Sequence, residues 1–211
     1  MATAAPDRSL RATDLTPRDW LEAGQSLLRR GGLRALKLRP LAAELKVSTG
    51  SFYHHFTDFD AYQGRLADYF AGEHLASILD TIMKAERNPV DRIRLLAEIV
   101  RRRGLFRLSL AMRAWAESDP RAQAAVERND AQVLAFLSHC LEANGLTPHQ
   151  ARVRGYALMT LGLGKVHAPD LDRPALMEEL IALLCTPTDA TVETAAQEER
   201  AWQTKASTIS S

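Results

Sequence analysis

The clearest chemistry in this sequence is binding to DNA, and the residues that indicate it lie between positions 39 and 56 (RPLAAELKVSTGSFYHHF). One short helix is expected from Pro40 and a second after Ser48, with a tight turn at Lys46-Val47 between them. This is the spacing of a helix-turn-helix motif, whose first helix crosses the DNA backbone and whose second helix enters the major groove. The alternative is a short hydrophobic connector between two helices of a bundle.

The second of these helices carries the side chains that could touch DNA. Small residues at its start let the backbone come close to a phosphate, and the free N–H groups there attract anions. Tyr53 and His54, further along the helix, are long enough to reach phosphates or base edges. For His54 or His55 taken alone, a surface or packing role is an equal alternative. Two cations ahead of the motif add contacts with the phosphate backbone. The predicted DNA-binding residues are Lys37, Arg39, Ser48, Thr49, Gly50, Ser51, Tyr53 and His54.

The charge distribution agrees with that prediction. The 211 residues include 27 basic and 26 acidic side chains, a net charge of +1, which excludes a uniformly basic coat protein and an acidic disordered tail. Residues 1–56 hold nine basic and five acidic side chains, a net charge of +4, so the remainder carries −3. A basic front on an acidic body suits a domain that faces nucleic acid, while a solvated charged face is the alternative.

Other classes of protein are excluded by what the sequence lacks. Its two cysteines, Cys140 and Cys185, are too few for a disulfide framework and too far apart for a zinc site, so a reducing cytoplasm is the expected setting. The first residues do not resemble a secretory signal, and no stretch approaches the roughly 20 apolar residues that cross a bilayer. No catalytic set or metal spacing is evident, so we expect no enzyme activity, cofactor or metal.

Prolines indicate where the helices that position the motif begin. A proline at the first helical position loses no hydrogen bond, and a short polar residue before it can cap the free N–H groups. Asp19 and Gln150 each lie three residues after such a cap, which is the spacing of a capping box. Four predicted helix starts follow this rule, at Thr16-Pro17, Asn88-Pro89, Asp119-Pro120 and Thr147-Pro148.

Apolar residues recur at helical spacing after these starts, and no stretch alternates between apolar and polar residues as a strand would. The prediction is an all-α fold of about nine helices, with one long helix over 60–83. Residues 15–58 are expected to form a helix-turn-helix domain and residues 59–186 a larger helical domain. Residues 1–14 are expected to be a flexible arm, and residues 187–211 a weakly ordered tail in which a short helix over 192–205 can form.

In order and spacing, residues 16–56 resemble the TetR family of bacterial transcription regulators. The matching elements are the first helix from Thr16 to Gly31-Gly32, then Leu41-Ala42, then residues 47–56 (VSTGSFYHHF). The resemblance implies an N-terminal three-helix DNA-binding domain and a C-terminal helical domain for ligand binding and dimerisation. Such proteins typically repress by occupying an operator, and they leave it when a small molecule binds.

The sequence departs from the family pattern in four places. Lys37 stands where a threonine or serine often caps the second helix, so Pro40 is expected to start that helix instead. Lys46 replaces the usual turn glycine, and the turn must therefore hold a strained or adjusted backbone. Phe59 replaces a lysine that touches phosphate, and Tyr62 replaces a leucine. Lys37, Arg39 and the arm residues Arg8 and Arg11 are expected to offset the missing phosphate contact electrostatically.

Residues 105–116 (LFRLSLAMRAWA) are the best candidate for the wall of a ligand pocket. Bulky apolar side chains would line the pocket, and one arginine would anchor a polar group of the ligand. The alternative is a buried helix with two arginines at its edges. The predicted ligand-binding residues are Phe106, Met112, Arg113 and Trp115.

Two apolar segments near the end of the body are expected to form a dimer face. Residues 155–166 (GYALMTLGLGKV) are apolar on nearly every side and contain glycines, which favours close approach by another helix. The helix expected from Pro174 has a second broad apolar face. Together they would form half of a four-helix interface across a two-fold axis, unless both pack within one subunit. The predicted interface residues are Gly155, Met159, Gly162, Leu176, Leu180 and Leu184.

These expectations combine into a homodimeric, DNA-binding repressor that a largely apolar small molecule releases from a roughly palindromic operator. Two recognition helices would enter successive major grooves about 34–36 Å apart. One alternative is a DNA-binding regulator without small-molecule input, controlled by a protein partner. Activation instead of repression is compatible with the same geometry. A helical-bundle enzyme would need a convergent set of titratable residues in the body, and the sequence offers none.

Overall fold

The computed structural model describes residues 15–164, 170 and 172–187, and within them the chain forms nine α-helices, two short 3₁₀ helices and no strand. The α-helices are α1 (Pro17–Gly31), α2 (Leu38–Glu44), α3 (Phe59–Ala71), α4 (Glu73–Ala85), α5 (Pro89–Arg102), α6 (Leu105–Ala116), α7 (Pro120–Ala143), α8 (Pro148–Leu163) and α9 (Arg173–Cys185). The 3₁₀ helices are Leu33–Ala35 and Thr49–His54. The all-helical prediction is confirmed, whereas the predicted arm 1–14, nearly all of the tail 187–211 and the helix over 192–205 lie outside the described residues.

The four helix starts predicted from proline are confirmed at α1, α5, α7 and α8. Both predicted capping boxes form as well. The Thr16 hydroxyl accepts a hydrogen bond from the Asp19 N–H, and the Asp19 carboxylate accepts one from the Thr16 N–H at 2.7 Å. Thr147 and Gln150 make the same reciprocal pair at the start of α8. These helix ends follow from local sequence because each cap satisfies N–H groups that have no partner within the helix.

The start of α2 differs from the prediction. This helix begins at Leu38, with Lys37 in extended backbone before it and no side-chain cap, so Pro40 is its third residue. Proline is tolerated there because the N–H groups of the first turn have no partner inside a helix. Lys46 follows the prediction closely. It has a φ of +57° and is the one non-glycine residue with a positive φ in the described part of the chain.

The long helix predicted over 60–83 is wrong, since α3 and α4 are separate helices that meet at Gly72. Gly72 has φ −101° and ψ −128°, which is not helical. A Cβ atom at this position would lie 2.8 Å from the Asp68 carbonyl oxygen, so a larger residue would not fit this break. Periodicity alone cannot reveal the interruption because the apolar pattern continues on both sides of it.

The predicted boundary at residue 58 falls inside one continuous hydrophobic core. This first core joins α1, α2 and the 3₁₀ helix Thr49–His54 to α3, α6 and the start of α7. Its fully buried members include Trp20, Leu41, Phe52, Tyr62, Met112 and Trp115. A second core joins α4, α5, the rest of α7, α8 and α9, and includes Ile82, Ile93, Leu137, Leu141, Leu158 and Ile181. The N-terminal unit is therefore packed directly onto α6 of the body.

Candidate nucleic-acid interface and internal cavity

The 3₁₀ helix Thr49–His54 is held in place by one aromatic side chain. Phe52 is fully buried and lies 5.4 Å from the Trp20 ring and 5.4 Å from the Tyr62 ring, both edge to face, with Phe56 stacked at 5.1 Å. Edge-to-face and offset-stacked arrangements are the favourable geometries for aromatic pairs. Because Phe52 fixes the inner side of the helix, the neighbouring Tyr53 and His54 are directed outward, and both are exposed.

Seven of the eight predicted DNA-binding residues lie on the surface. Ser51 does not, because only 8 % of it is exposed and its hydroxyl lies 3.5 Å from that of Ser48. A 3₁₀ helix has three residues per turn, so residues three apart lie in one line and Ser48 covers Ser51. The Ser48 hydroxyl makes no capping hydrogen bond, although the helix begins directly after it, as predicted. The exposed residues are Lys37, Arg39, Ser48, Thr49, Gly50, Tyr53 and His54, and we call this set the reading surface.

Cations around the reading surface are free to meet phosphate. Arg34, Lys37, Arg39 and Lys46 are exposed and form no ion pair with any described residue. By contrast, Arg30 of α1 is paired with Glu44, the last residue of α2. Unpaired surface cations are the groups that release counterions from DNA and so supply electrostatic affinity. The geometry and the charge of this surface therefore both suit a nucleic-acid interface.

An internal cavity of about 810 Å³ lies between the two hydrophobic cores. Its walls are mostly apolar and come from α3 to α9, with Gln25 of α1 as the one contribution from the N-terminal unit among the described residues. The break between α3 and α4 borders the cavity, since Phe70 and His74 on either side of Gly72 both line it. A concave apolar site with a few polar groups is the usual form of a small-molecule pocket.

Only part of the predicted pocket wall faces this cavity. Phe106 and Arg113 line it, but Met112 and Trp115 are buried in the first core and do not. Both were predicted as ligand contacts, but each side chain is buried in that core and is not part of the cavity lining. The cavity lining on α6 runs from Leu105 to Ser109 and includes Arg113, whereas Met112 and Trp115, in the second half of the helix, pack into the first core.

The polar groups of the cavity are partly paired. The Arg113 Nη2 atom donates to both carboxylate oxygens of Asp130, at 2.7 and 2.8 Å, so these two charges neutralise each other. Arg107 and Arg173 are exposed and have no carboxylate partner among the described residues. Burial, with a further contribution from the nearby Arg103 charge, holds the pKa of His74 below its ordinary value, which favours the neutral imidazole. The cavity thus combines an apolar interior with unpaired positive charge on part of its lining.

Two buried N–H donors at the cavity have no hydrogen-bond partner among the residues that the structure describes. They are Nε2 of Gln25 and Nε of Arg113. Gln25 was not predicted as a site residue, although the sequence shows it as a polar residue at a position expected to be apolar. It lies in the same helical row as Leu21 and Leu28, at i, i+4 and i+7, where an apolar residue would be expected.

The residues predicted for a dimer face differ in how accessible they are on the subunit. Gly155 is buried against α7 of its own subunit, where an added Cβ would lie 3.4 Å from Leu134 and from Leu137. Met159 and Gly162 line the cavity. The α9 residues Leu176, Leu180 and Leu184 are half-buried. The large apolar side chains that α8 and α9 expose are instead Val153, Tyr156, Leu161 and Leu183, with Tyr156 at 65 % and Leu183 at 69 % exposure.

The structure also bears on the other classes of site considered from the sequence. Cys140 and Cys185 are buried free thiols, and burial raises the pKa of Cys140 to about 11, so it is an inert thiol at neutral pH. Among the described residues there is no group of three or more potential metal ligands. Nowhere in residues 15–164, 170 and 172–187 does a helix combine the length and apolar composition that crossing a bilayer requires.

Comparison with known proteins points to the same N-terminal unit. A sequence model described as "Bacterial regulatory proteins, tetR family" matches residues 21–59, which run from α1 to the first residue of α3. No curated protein matches the chain.

Several solved structures share the fold at low sequence identity. A TetR-family transcriptional regulator from Agrobacterium tumefaciens is 16 % identical with a TM-score of 0.64, over 80 % of this chain and 95 % of that one. FadR from Bacillus subtilis, in complex with stearoyl-CoA, is 16 % identical with a TM-score of 0.57, over 81 % and 98 %. AibR, in complex with isovaleryl coenzyme A and operator DNA, is 17 % identical with a TM-score of 0.57, over 82 % and 99 %.

Proposed function

Because residues 21–59 match the model of the tetR family and a TetR-family regulator shares the fold, we propose that the chain is a TetR-family transcriptional regulator, a homodimeric repressor released from its operator by a small molecule bound in the internal cavity. In this proposal the chain acts by binding DNA and not as an enzyme. The observation that carries the proposal is that the cavity is bordered by α1 through Gln25. α1 is also the helix against which α2 and the 3₁₀ helix of the reading surface pack. A cytoplasmic location follows from the proposal, because the operator is there.

The reading surface supports recognition of duplex DNA. Tyr53 and His54 extend from the 3₁₀ helix toward base edges and phosphates, while Thr49 and Gly50 let the backbone approach the DNA closely. Lys37 and Arg39 serve as phosphate contacts, which fix the position of the protein but read no sequence. Two copies of this surface in a symmetric dimer require a roughly palindromic operator with half-sites about one helical turn, or slightly more, apart.

We expect Lys37→Ala and Arg39→Ala each to weaken binding about tenfold on every DNA sequence, because each removes one charge-assisted phosphate contact. Each change should also flatten the dependence of log affinity on log salt by about one. Fluorescence anisotropy with a labelled duplex from the region upstream of the gene, titrated at several salt concentrations, measures both quantities. Arg87→Ala, which removes an exposed cation between α4 and α5, is the control and should change neither. Loss confined to one sequence, with an unchanged salt slope, would count against this role.

The cavity supports a ligand with an apolar body and an anionic end. Its interior is apolar, and Arg107 and Arg173 offer positive charge that no described carboxylate neutralises. Two proteins of similar fold bind acyl-CoA molecules, which have this combination of an acyl chain and a charged head. We therefore propose an acyl-CoA or a related amphipathic anion as the effector of this chain.

The experiment that tests the regulatory proposal measures coupling between the two sites. Saturating octanoyl-CoA should lower the affinity for the operator duplex by about 10- to 100-fold, and free coenzyme A, which lacks the acyl chain, should have no effect. Thermodynamic linkage then requires the operator to weaken octanoyl-CoA binding by the same factor. Calorimetry with and without the duplex measures that second factor. Equal octanoyl-CoA affinity in both titrations would contradict release by this ligand.

The dimer proposal rests on exposed apolar surface. Val153 and Tyr156 on α8 and Leu183 on α9 are large apolar side chains that are more than half exposed. A second copy of the same face would bury them across a two-fold axis, with Leu176, Leu180 and Leu184 at the same interface as first predicted. Dimerisation is also what would place two reading surfaces on one operator.

A further inference from the structure

We propose that Gln25, a residue of the DNA-binding unit, is itself a ligand-binding residue, and that its side-chain amide donates a hydrogen bond to an uncharged carbonyl group of the effector. This inference rests on the proposed function, because it assigns a contact within the same cavity. It adds that the effector touches the DNA-binding unit directly.

Burial without a partner is the first support for this role. Gln25 is 5 % exposed and lines the cavity, and its Nε2 atom has no hydrogen-bond partner in the described part of the chain. Buried polar groups in proteins are nearly always hydrogen-bonded, so an exception calls for a specific cause. An amide kept at the edge of an apolar cavity is explained if a bound molecule supplies the missing acceptor.

The charges around the cavity point to a neutral acceptor at this site. The Gln25 amide carries no charge, and Arg113, whose Nε atom is the second unpartnered donor of the cavity, is already neutralised by Asp130. Both donors therefore suit a carbonyl oxygen of a ketone, ester, amide or thioester. A carboxylate of the ligand would interact more favourably with the unpaired charges of Arg107 and Arg173 than with these two donors.

The position of Gln25 on α1 gives the contact a route to the reading surface. One turn later, Arg29 donates through Nη1 to the Arg103 carbonyl oxygen at 3.0 Å, and Arg103 directly precedes Gly104 of the cavity lining. Ser26 and Arg30, on α1 beside these residues, both contact the Glu44 carboxylate at the end of α2. A ligand that hydrogen-bonds to Gln25 therefore contacts the same helix whose Ser26 and Arg30 bind α2 of the helix-turn-helix.

A matched pair of fluorescent probes tests the contact. Prodan, 6-propionyl-2-(dimethylamino)naphthalene, has an apolar body and one carbonyl, and 2-(dimethylamino)-6-propylnaphthalene lacks only the carbonyl oxygen. Gln25→Met keeps the length of the side chain and removes the donor. We expect this change to weaken prodan binding about five- to tenfold, the size of one neutral hydrogen bond, and to leave the affinity of the propyl compound unchanged.

Controls separate this role from packing. Gln123→Met, the same substitution on the exposed face of α7, should alter the affinity of neither probe. The melting temperature of Gln25→Met should not fall, because the change removes an unpaired buried amide. Equal weakening of both probes would show that Gln25 only packs, and unchanged binding of both would show that water alone satisfies the amide. Either result overturns the inference, and so does wild-type protein that takes up neither probe. The proposed function stays intact in each case, because it is tested separately by the coupling between octanoyl-CoA and the operator.

Discussion

Replacing Gly24 with alanine is expected to destabilise the protein by about 3 kcal/mol, toward the upper end of what overpacking a core costs. Gly24 lies on the inner face of α1, where an added Cβ would be 2.0 Å from the Tyr62 hydroxyl oxygen and 3.0 Å from a methyl group of Leu66. The hydroxyl cannot move away freely, because it donates a hydrogen bond to the Trp20 carbonyl oxygen at 2.9 Å. Urea unfolding followed by tryptophan fluorescence measures the loss.

Two further variants identify the cause of that loss. Gly50→Ala is the matched control, because an added Cβ there meets nothing closer than 3.5 Å, and its stability should stay within about 0.5 kcal/mol of wild type. Tyr62→Phe should cost about 1 kcal/mol alone, yet it should recover part of the loss when combined with Gly24→Ala, since it removes the clashing oxygen. Simple addition of the two losses would contradict the proposed clash.

The second large effect is expected at the exposed face of α8 and α9. The double variant Tyr156→Glu, Leu183→Glu should be monomeric at micromolar concentration, because dimerisation would bury two carboxylates per subunit without partners. Operator affinity should then fall by about 100-fold or more, since one reading surface no longer benefits from the other being bound. Light scattering measures the mass, and fluorescence anisotropy measures the affinity.

The control for the dimer prediction is Leu110→Glu, which places the same charge on an exposed apolar residue of α6. It should remain dimeric and bind the operator as wild type does. A dimeric double variant would locate the interface elsewhere, and a monomeric wild-type protein would contradict dimerisation altogether.

Sequence reasoning succeeded where the determining interactions are local. The capping boxes at Thr16 and Thr147 and the strained turn at Lys46 depend on residues within a few positions, so composition and spacing suffice.

It failed where the outcome depends on which neighbour a side chain meets. Met112 is apolar and adjacent to Arg113, but its side chain is buried in the first core and does not line the cavity. Gly155 does allow close approach of a helix, although that helix is α7 of the same chain. Gln25 had only a positional signal, since the sequence does not reveal the cavity beside it.

The core shared by α1 and α6 limits how freely this regulator can be rebuilt. Hybrid regulators are usually designed by joining the DNA-binding unit of one protein to the ligand-binding domain of another, with the junction in a linker. In this protein, a DNA-binding unit cut at residue 58 would lose the Met112 and Trp115 side chains, which belong to the same hydrophobic core as Trp20. A stable hybrid should therefore include a matching α6 surface. For the same reason the intact chain should unfold in a single cooperative thermal transition, without earlier unfolding of the DNA-binding unit.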